Sequence, residues 1–295
     1  MQTTLGVDIG GSSVKAAVWF QGHCVRTGQS PFYANPTADQ LRASIHVAVG
    51  SIGELDVSSV GLCAPGLFDG DRRVITFAVN LPALAGLSLD QLVPQALGLD
   101  GERPTTISND ATAAAYDIFK LRRLTGRLLV LSLGTGVGAS VLDAGVPLLV
   151  EGDSPGHIGQ IDVSIAGFEA LGPDGGAGGL EGYIGVPALK RLYGPDVAAT
   201  LEKFTGDEPA IQALIRALRI CHAIYRPHHV YLCGGVGIRL RRLLPIIRER
   251  TGYRLTTLSH PNWTLDCGTD NYHAARGAAQ LAAEAKDHPS AVLVG

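Results

Sequence analysis

Apolar runs separated by turn formers begin almost at once in this chain. Residues 5–9 read as a strand, Gly10-Gly11 as a turn and residues 14–20 as a second strand. After Gln21-Gly22, residues 24–27 read as a third. Short connections centred on glycine predict an antiparallel meander. Pro36-Thr37-Ala38-Asp39 is a helix start, and Ile45, Val49 and Ile52 on one stripe carry that helix to about Ile52. A strand over 57–63 ends in the sharp turn Ala64-Pro65-Gly66. A loop with Asp69-Gly70-Asp71 and Asn80-Leu81-Pro82 follows, then a strand over 104–108 and an alanine-rich helix over 110–124.

The pattern then starts again. Strands are expected at 128–133, 137–142 and 146–150, joined by Gly134-Thr135-Gly136 and Asp143-Ala144-Gly145. A glycine-dense segment runs from Gly172 to Gly185. Helices are expected at about 186–193, 196–204 and 208–225, and a strand at 230–233. Gly234-Gly235-Val236-Gly237 opens a helix to about Arg250, 255–258 reads as a short strand, and 272–285 as a final helix. Three antiparallel strands followed by alternating helices and strands, twice over, is an α/β duplication. Two such halves are expected to clamp a ligand in a cleft, whose closure excludes water.

Both halves open on a strand, a glycine turn and a strand. Without Cβ atoms, turn glycines let a backbone approach a ligand and direct N–H groups at it, as a phosphate requires. A plain hairpin is the alternative for either turn taken alone; the repetition favours the phosphate.

Composition narrows the classes. The chain has 295 residues, comfortable for two cores; 46% are hydrophobic and 17% charged, which excludes extensive disorder. A formal net charge of −3 leaves no basic field for nucleic acid. The five cysteines are widely spread without a C-x-x-C pair, which suggests buried thiols in a reducing compartment. No apolar run is long enough to span a membrane, and no signal peptide is read at the start, so the cytoplasm is expected.

Six motifs now stand in a recognisable order: Asp8-Ile-Gly-Gly-Ser12, Asn109-Asp110, Leu133-Gly-Thr-Gly-Val-Gly138, Gly156-His157, Leu180-Glu181 and Gly234-Gly-Val-Gly237. With Ala64-Pro-Gly66 and Asn80-Leu-Pro82, they make the chain resemble the ROK-family sugar kinases from Gly6 to about Ala282. The resemblance implies an α/β, duplicated actin/hexokinase-like (ribonuclease H-like) fold, with two domains around a cleft. Residues 1–124 would bind sugar, with the C-terminal helix at about 272–286 able to pack back on them, and residues 125–271 would bind nucleotide. It also implies a homodimer that phosphorylates a hexose or N-acetylhexosamine (glucokinase-like) with ATP and Mg²⁺.

The resemblance assigns roles residue by residue. Asp110 is the general base; its alternative is a helix-start residue that, with Ser108 or Asn109, only caps. Gly66, Asn80, Asn109, Ser154, His157 and Glu181 face the sugar. Asn80 is equally a turn former, His157 an ordinary histidine, and Glu181 a carboxylate suited to a helix dipole. Gly10, Gly11 and Ser12 approach the transferred phosphoryl group, with Asp8 holding Mg²⁺ through water; a strand-end aspartate is the alternative. Gly134, Thr135 and Gly136 bind the donor's phosphates, and Gly234, Gly235 and Val236 border the adenosine. Lys15 is either a solvated side chain or a phosphate ligand.

Two departures from the family stand out. Ser154 occupies the place of a glutamate, which predicts altered sugar preference or weaker binding, with Glu151 or Asp153 as compensating carboxylates. Gly172, Asp174 and Gly179 occupy the places of the family's three zinc cysteines, so no zinc site is expected. Some polyphosphate-using glucokinases share Gly-Gly-Ser and a lysine at the Lys15 position. A polyphosphate-dependent kinase, and a catalytically weak or inactive sugar sensor, therefore remain alternatives.

Overall fold

The computed structural model describes residues 3–53, 56–71, 73–98, 104–150 and 154–287. The chain divides into two compact units: Met1–Arg123 with Leu149–Ser154 and Tyr272–Gly295, and Leu124–Leu148 with Pro155–Asn271.

In the first unit, β1 (Thr3–Ile9), β2 (Val14–Phe20) and β3 (His23–Gln29) form the meander. α1 (Ala38–Gly50), β4 (Val57–Ala64), the small hairpin β5 (Leu67–Phe68) and β6 (Ile75–Phe77), α2 (Leu89–Leu97), β7 (Thr105–Asn109) and α3 (Asp110–Leu121) follow. The sheet order is β3-β2-β1-β4-β7, with β4 parallel to both β1 and β7. The burial gradient explains the order. β1 and β4 are buried along nearly their whole length, as inner strands covered on both faces must be, whereas β3 is largely exposed and polar and so suits an edge. A capping box between Thr37 and Gln40 starts α1, which buries Leu41, Ile45, Ala48 and Val49.

The second unit repeats the order: β8 (Arg127–Leu133), β9 (Val137–Asp143), β10 (Val146–Pro147), then helices, β11 (His229–Cys233) and β12 (Thr264–Cys267), in the sheet order β10-β9-β8-β11-β12. Its helices are α4 (Glu181–Ile184), α5 (Val186–Tyr193), α6 (Val197–Lys203), α7 (Pro209–Tyr225), α8 (Gly234–Arg239) and α9 (Leu244–Gly252). α7 buries Ile211, Leu214, Leu218 and Cys221 in one core with Leu129, Leu131 and Leu133 of β8.

The last helix, α10 (His273–Asp287), belongs to the first unit. It lies directly on the backbones of β1 and β4. A Cβ on Gly6 would stand 2.0 Å from the Ala275 carbonyl, and one on Gly61 would stand 1.9 Å from that of Ala278.

Three expected elements differ. Residues 255–256 are irregular and 257–258 a turn, and the strand is β12 instead, because Leu265 and Cys267 can be covered beside β11 whereas Leu258 is 80% exposed. The third strand of the second unit ends at Pro147, which has no N–H to continue a ladder. The helix expected over 234–250 is α8, a 3₁₀ turn at Leu240–Leu243 and α9, the break coming just before Pro245.

Candidate active site

In the first unit, chemistry gathers where β1, β4 and β7 end. Asp8 pairs across the sheet with Lys15 on β2 and Cys63 on β4, and Cys63 pairs with Ser108 on β7. Directly opposed side chains share a face of a sheet, so the pairing alone brings these groups together. Lys15 Nζ lies 3.2 Å from Asp8 Oδ2, and both side chains are mostly buried. Burial opposes the Lys15 charge, but the Asp8 carboxylate outweighs it and raises the lysine's pKa. The Cys63 thiol is 3.8 Å from Asp8 Oδ1, and burial, then the Asp8 and Asp110 carboxylates, push its pKa well up.

Asp110 begins α3. The Ala111 N–H is shared by two carboxyl or amide oxygens, Asn109 Oδ1 at 2.9 Å and Asp110 Oδ1 at 2.8 Å. Asn109 is thus the cap in geometry as well as position, and the cap does not depend on Asp110. Loss of hydration and, second, the nearby Asp8 charge push the Asp110 pKa up to about 6, against the pull of the Ala111 N–H and Lys15. A carboxylate held this way is more basic than an exposed aspartate while still largely ionised at neutral pH.

The Gly10–Ser12 turn is fastened from one side. Tyr33 donates its hydroxyl to the Gly10 carbonyl at 2.6 Å and its N–H to the Ser12 carbonyl at 2.9 Å. These oxygens would repel a phosphate if they were turned outward. Tyr33 lay outside the sequence reading; only its place after β3, beside the turn, marks it. Gly66, at a φ of +131°, leads from β4 into the β5–β6 hairpin, and its missing Cβ leaves room for the Phe77 carbonyl. Asn80 lies half-buried in the turn between β6 and the 3₁₀ helix Pro82–Leu84. Ser154 accepts the Val150 N–H on its carbonyl at 2.8 Å; Glu151 and Asp153, the carboxylates that would compensate for it, lie outside the described residues.

In the second unit the site is made of backbone. The Gly134-Thr135-Gly136 turn joins β8 to β9, closed by a bond from Gly134 N to the Gly136 carbonyl. Two further segments converge on it. Val186 N donates to the Gly134 carbonyl at 2.9 Å, placing the start of α5 against the turn. Gly234, at a φ of +74°, follows β11 so closely that a Cβ would lie 2.4 Å from the Leu133 carbonyl. A side chain is barred there by both conformation and space. The turn, Gly185-Val186 and Gly234-Gly235-Val236 are therefore neighbours, and the Gly185-Val186 part is one that the sequence reading missed.

Glu181 is buried and turned inward. Its Oε2 accepts the Val137 N–H at 2.9 Å, just beyond the glycine turn, and Gly159 packs against the same oxygen. His157 is exposed and begins the 3₁₀ turn Ile158–Gln160, so its loop packs on the Glu181 carboxylate. Glu181 in this structure braces the start of β9. In the glycine-dense loop, Asp174 Oδ1 accepts the Gly176 N–H at 3.1 Å and shapes its own turn. Among the described residues, no group of three or more His, Cys, Asp or Glu side chains is placed to hold a metal, and no helix is long and apolar enough to cross a membrane.

Comparison with known proteins gives a consistent result. The ROK family model matches residues 4–285. The chain is 27% identical over 224 residues to an N-acetylmannosamine kinase of Escherichia fergusonii, covering 74% of this chain and 75% of that protein. It is 30% identical over 147 residues to a glucokinase of Streptomyces coelicolor, a match spanning 48% of this chain and 44%, under half, of that protein. Among solved structures, a ROK family glucokinase from Streptomyces griseus, in complex with glucose and AMPPNP, superposes with a TM-score of 0.76 at 24% identity, covering 96% of this chain and 99% of that one. The duplicated actin/hexokinase-like fold is thereby shown.

Proposed function

The chain belongs to the ROK family, and on that premise we propose that it is a sugar kinase that transfers a phosphoryl group from ATP to a hydroxyl of a hexose or N-acetylhexosamine, with Asp110 as general base. One observation carries the assignment of the base. Asp110 stands at the first position of α3 with its pKa held at about 6, and Asn109 already performs the capping that would otherwise explain an aspartate there.

The reaction needs a positioned hydroxyl, an acceptor for its proton and neutralised phosphates. Asp110 accepts the proton as the hydroxyl oxygen attacks. Asn109, Asn80 and Gly66, all of the first unit, hold the remaining hydroxyls. Gly10, Gly11 and Ser12 approach the transferred group, with Lys15 adding a positive charge beside Asp8. The Gly134-Thr135-Gly136 turn binds donor phosphates by N–H groups and one hydroxyl, and Gly234, Gly235 and Val236 border the adenosine. Glu181 acts on this turn by bracing Val137.

Mg²⁺ fits this set of residues only as a companion of the nucleotide. Asp8 is the carboxylate available at the turn and is already paired with Lys15, so the cation would take its other ligands from water and from the donor's phosphates. Bound there, it would neutralise phosphate charge. The same Lys15 supports inorganic polyphosphate as a second donor to be tested. Ser154, shorter than a glutamate, shifts sugar preference, and the active form is a homodimer.

A coupled ADP-release assay with ATP over a panel of hexoses and N-acetylhexosamines tests the proposal. At least one sugar should raise ADP release above background. Sugar phosphate formed only with polyphosphate would change the donor, and none with either donor would sink the kinase reading in favour of a sugar sensor.

A further inference from the structure

Helix α3 holds Asp110 at its first position, and most of its buried face is made of small residues. Its buried apolar positions are Ala111, Ala113, Ala114 and Ala115, with Ile118 the one large side chain among them. Where α10 crosses it, a Cβ on Gly277 would lie 1.8 Å from the Ala113 carbonyl, so the two backbones are in contact. The apolar cluster on that side is Cys63, Ala113, Ala278 and Leu281, with the half-buried Tyr116 and Ala274 packed against it. Small side chains allow close approach but offer few ridges to seat in grooves, so such a contact resists rotation and sliding weakly.

Two polar constellations bridge this contact: Tyr116 and Lys120 meet Glu284 where the helices are partly exposed, and Asp117 is held in the buried part. The Asp117 side chain is 3% exposed and its carboxylate meets three side chains, all from α10. Oδ2 lies 2.6 Å from His273 Nδ1 and accepts from Arg276 Nε at 3.0 Å, and Oδ1 accepts from Gln280 Nε2 at 2.5 Å. Nδ1 of His273 also lies 3.0 Å from Arg276 Nη2, which can only donate, so the ring's tautomer decides which of the two partners it bonds. The partners at 273, 276 and 280 lie along one stripe of α10. Directional contacts from one stripe fix both the rotation and the height of α3, which apolar packing of alanines does not. Buried polar groups set register in helix pairs in the same way, at a cost in stability that apolar replacements avoid. Asp117 is seven residues, or two turns, beyond Asp110. The two carboxylates share a face of the helix, about 10 Å apart along its axis.

We propose that Asp117, held by His273, Arg276 and Gln280, is a positioning residue for the reaction: it fixes α3 against α10 and thereby the Asp110 carboxylate. The proposal rests on the assignment of Asp110 as base.

The test compares full-length wild type with Asp117→Asn for kcat, KM and amide hydrogen exchange in the first turn of α3. A displaced base predicts a kcat lower by about 10- to 100-fold with the sugar KM little changed, and faster exchange at the Ala111–Ala114 amides. In an Asp110→Asn background, Asp117→Asn should add no further loss, because both act through one group. Gln280→Leu keeps the charged partners, so it serves if Asp117→Asn does not fold; it should lower kcat by roughly two- to fivefold, a fraction of the misplacement penalty. A folded Asp117→Asn, or in its place Gln280→Leu, with unchanged kcat and exchange would overturn the proposal. So would an equal loss in the Asp110→Asn background. If wild type phosphorylates no sugar, the assigned base fails on its own, and unchanged exchange in α3 still refutes the positioning role.

Discussion

The two sheets share one strand order but differ in what stands at their active ends. Asp8 is two residues before Gly10 at the end of β1, and Ser132 is two residues before Gly134 at the end of β8. Asp8 faces Lys15 across the hairpin, whereas Ser132 faces Gly138. On the other side, Asp8 pairs with Cys63 and Ser132 with Cys233. The scaffold is therefore repeated down to register, while at these equivalent positions the charge stands in the first unit. That unit offers titratable side chains, suited to taking a proton. The second offers backbone N–H groups around glycines, suited to holding an anion, and turns the Glu181 carboxylate inward. The frame stands twice, and equivalent positions carry different chemistry.

Removing the proposed base is the most severe way to break this contrast. Asp110→Asn should lower turnover by about 10²–10⁴-fold, with the fold retained because Asn109 keeps the cap. In wild type, kcat/KM should rise with pH through about 6 as Asp110 ionises, a limb absent from the variant's residual activity. The stability sign is opposite. A carboxyl raised from 3.8 to about 6 on folding contributes stability that is complete below 3.8 and lost as pH rises through about 6. Thermal unfolding at pH 7 should therefore find Asp110→Asn at least as stable as wild type. A less stable variant would mean that the carboxylate is structural.

The second unit should fail through its backbone instead. Gly234→Ala places a Cβ 2.4 Å from the Leu133 carbonyl at a φ of +74°. A melting temperature lowered by several degrees, in line with about 1–3 kcal/mol of backbone strain, and weakened nucleotide binding by calorimetry are expected. Normal nucleotide affinity in a folded variant would separate Gly234 from the donor site.

Lys15→Met is the mildest change and sharpens the contrast most. It leaves Asp8 unscreened beside Asp110, so the acid limb of the pH–rate profile should move to higher pH, by up to about one unit for charges near a protein surface. An unmoved limb would show that the Asp8–Lys15 pair does not tune the base.

Much of this was legible in the residues. Strand–glycine–strand repeats marked both hairpins, and alternation of apolar runs with helical stripes placed most elements within a few positions. What escaped was whatever depended on neighbours distant in sequence. The strand expected at 255–258 lost to 264–267 because only the latter can be covered beside β11. Tyr33 and Gly185-Val186 carry no local motif, and their roles arise from folding back onto turns set elsewhere. Glu181 was visible as a carboxylate, but not that it would turn toward Val137.

The amino-acid order by itself determined the duplication, the glycine turns and the chemistry available at each, because periodicity and residue type are local properties. Tertiary structure alone decided which carboxylate is basic and which is paired. A pKa depends on how much water is excluded and which charges are near, and Asp8, Lys15, Cys63 and Asp110 become neighbours only when β1, β2, β4 and β7 lie side by side. It also decided that Asp117, an ordinary acidic residue in an alanine-rich run, meets three side chains from a helix more than 150 residues later in the chain.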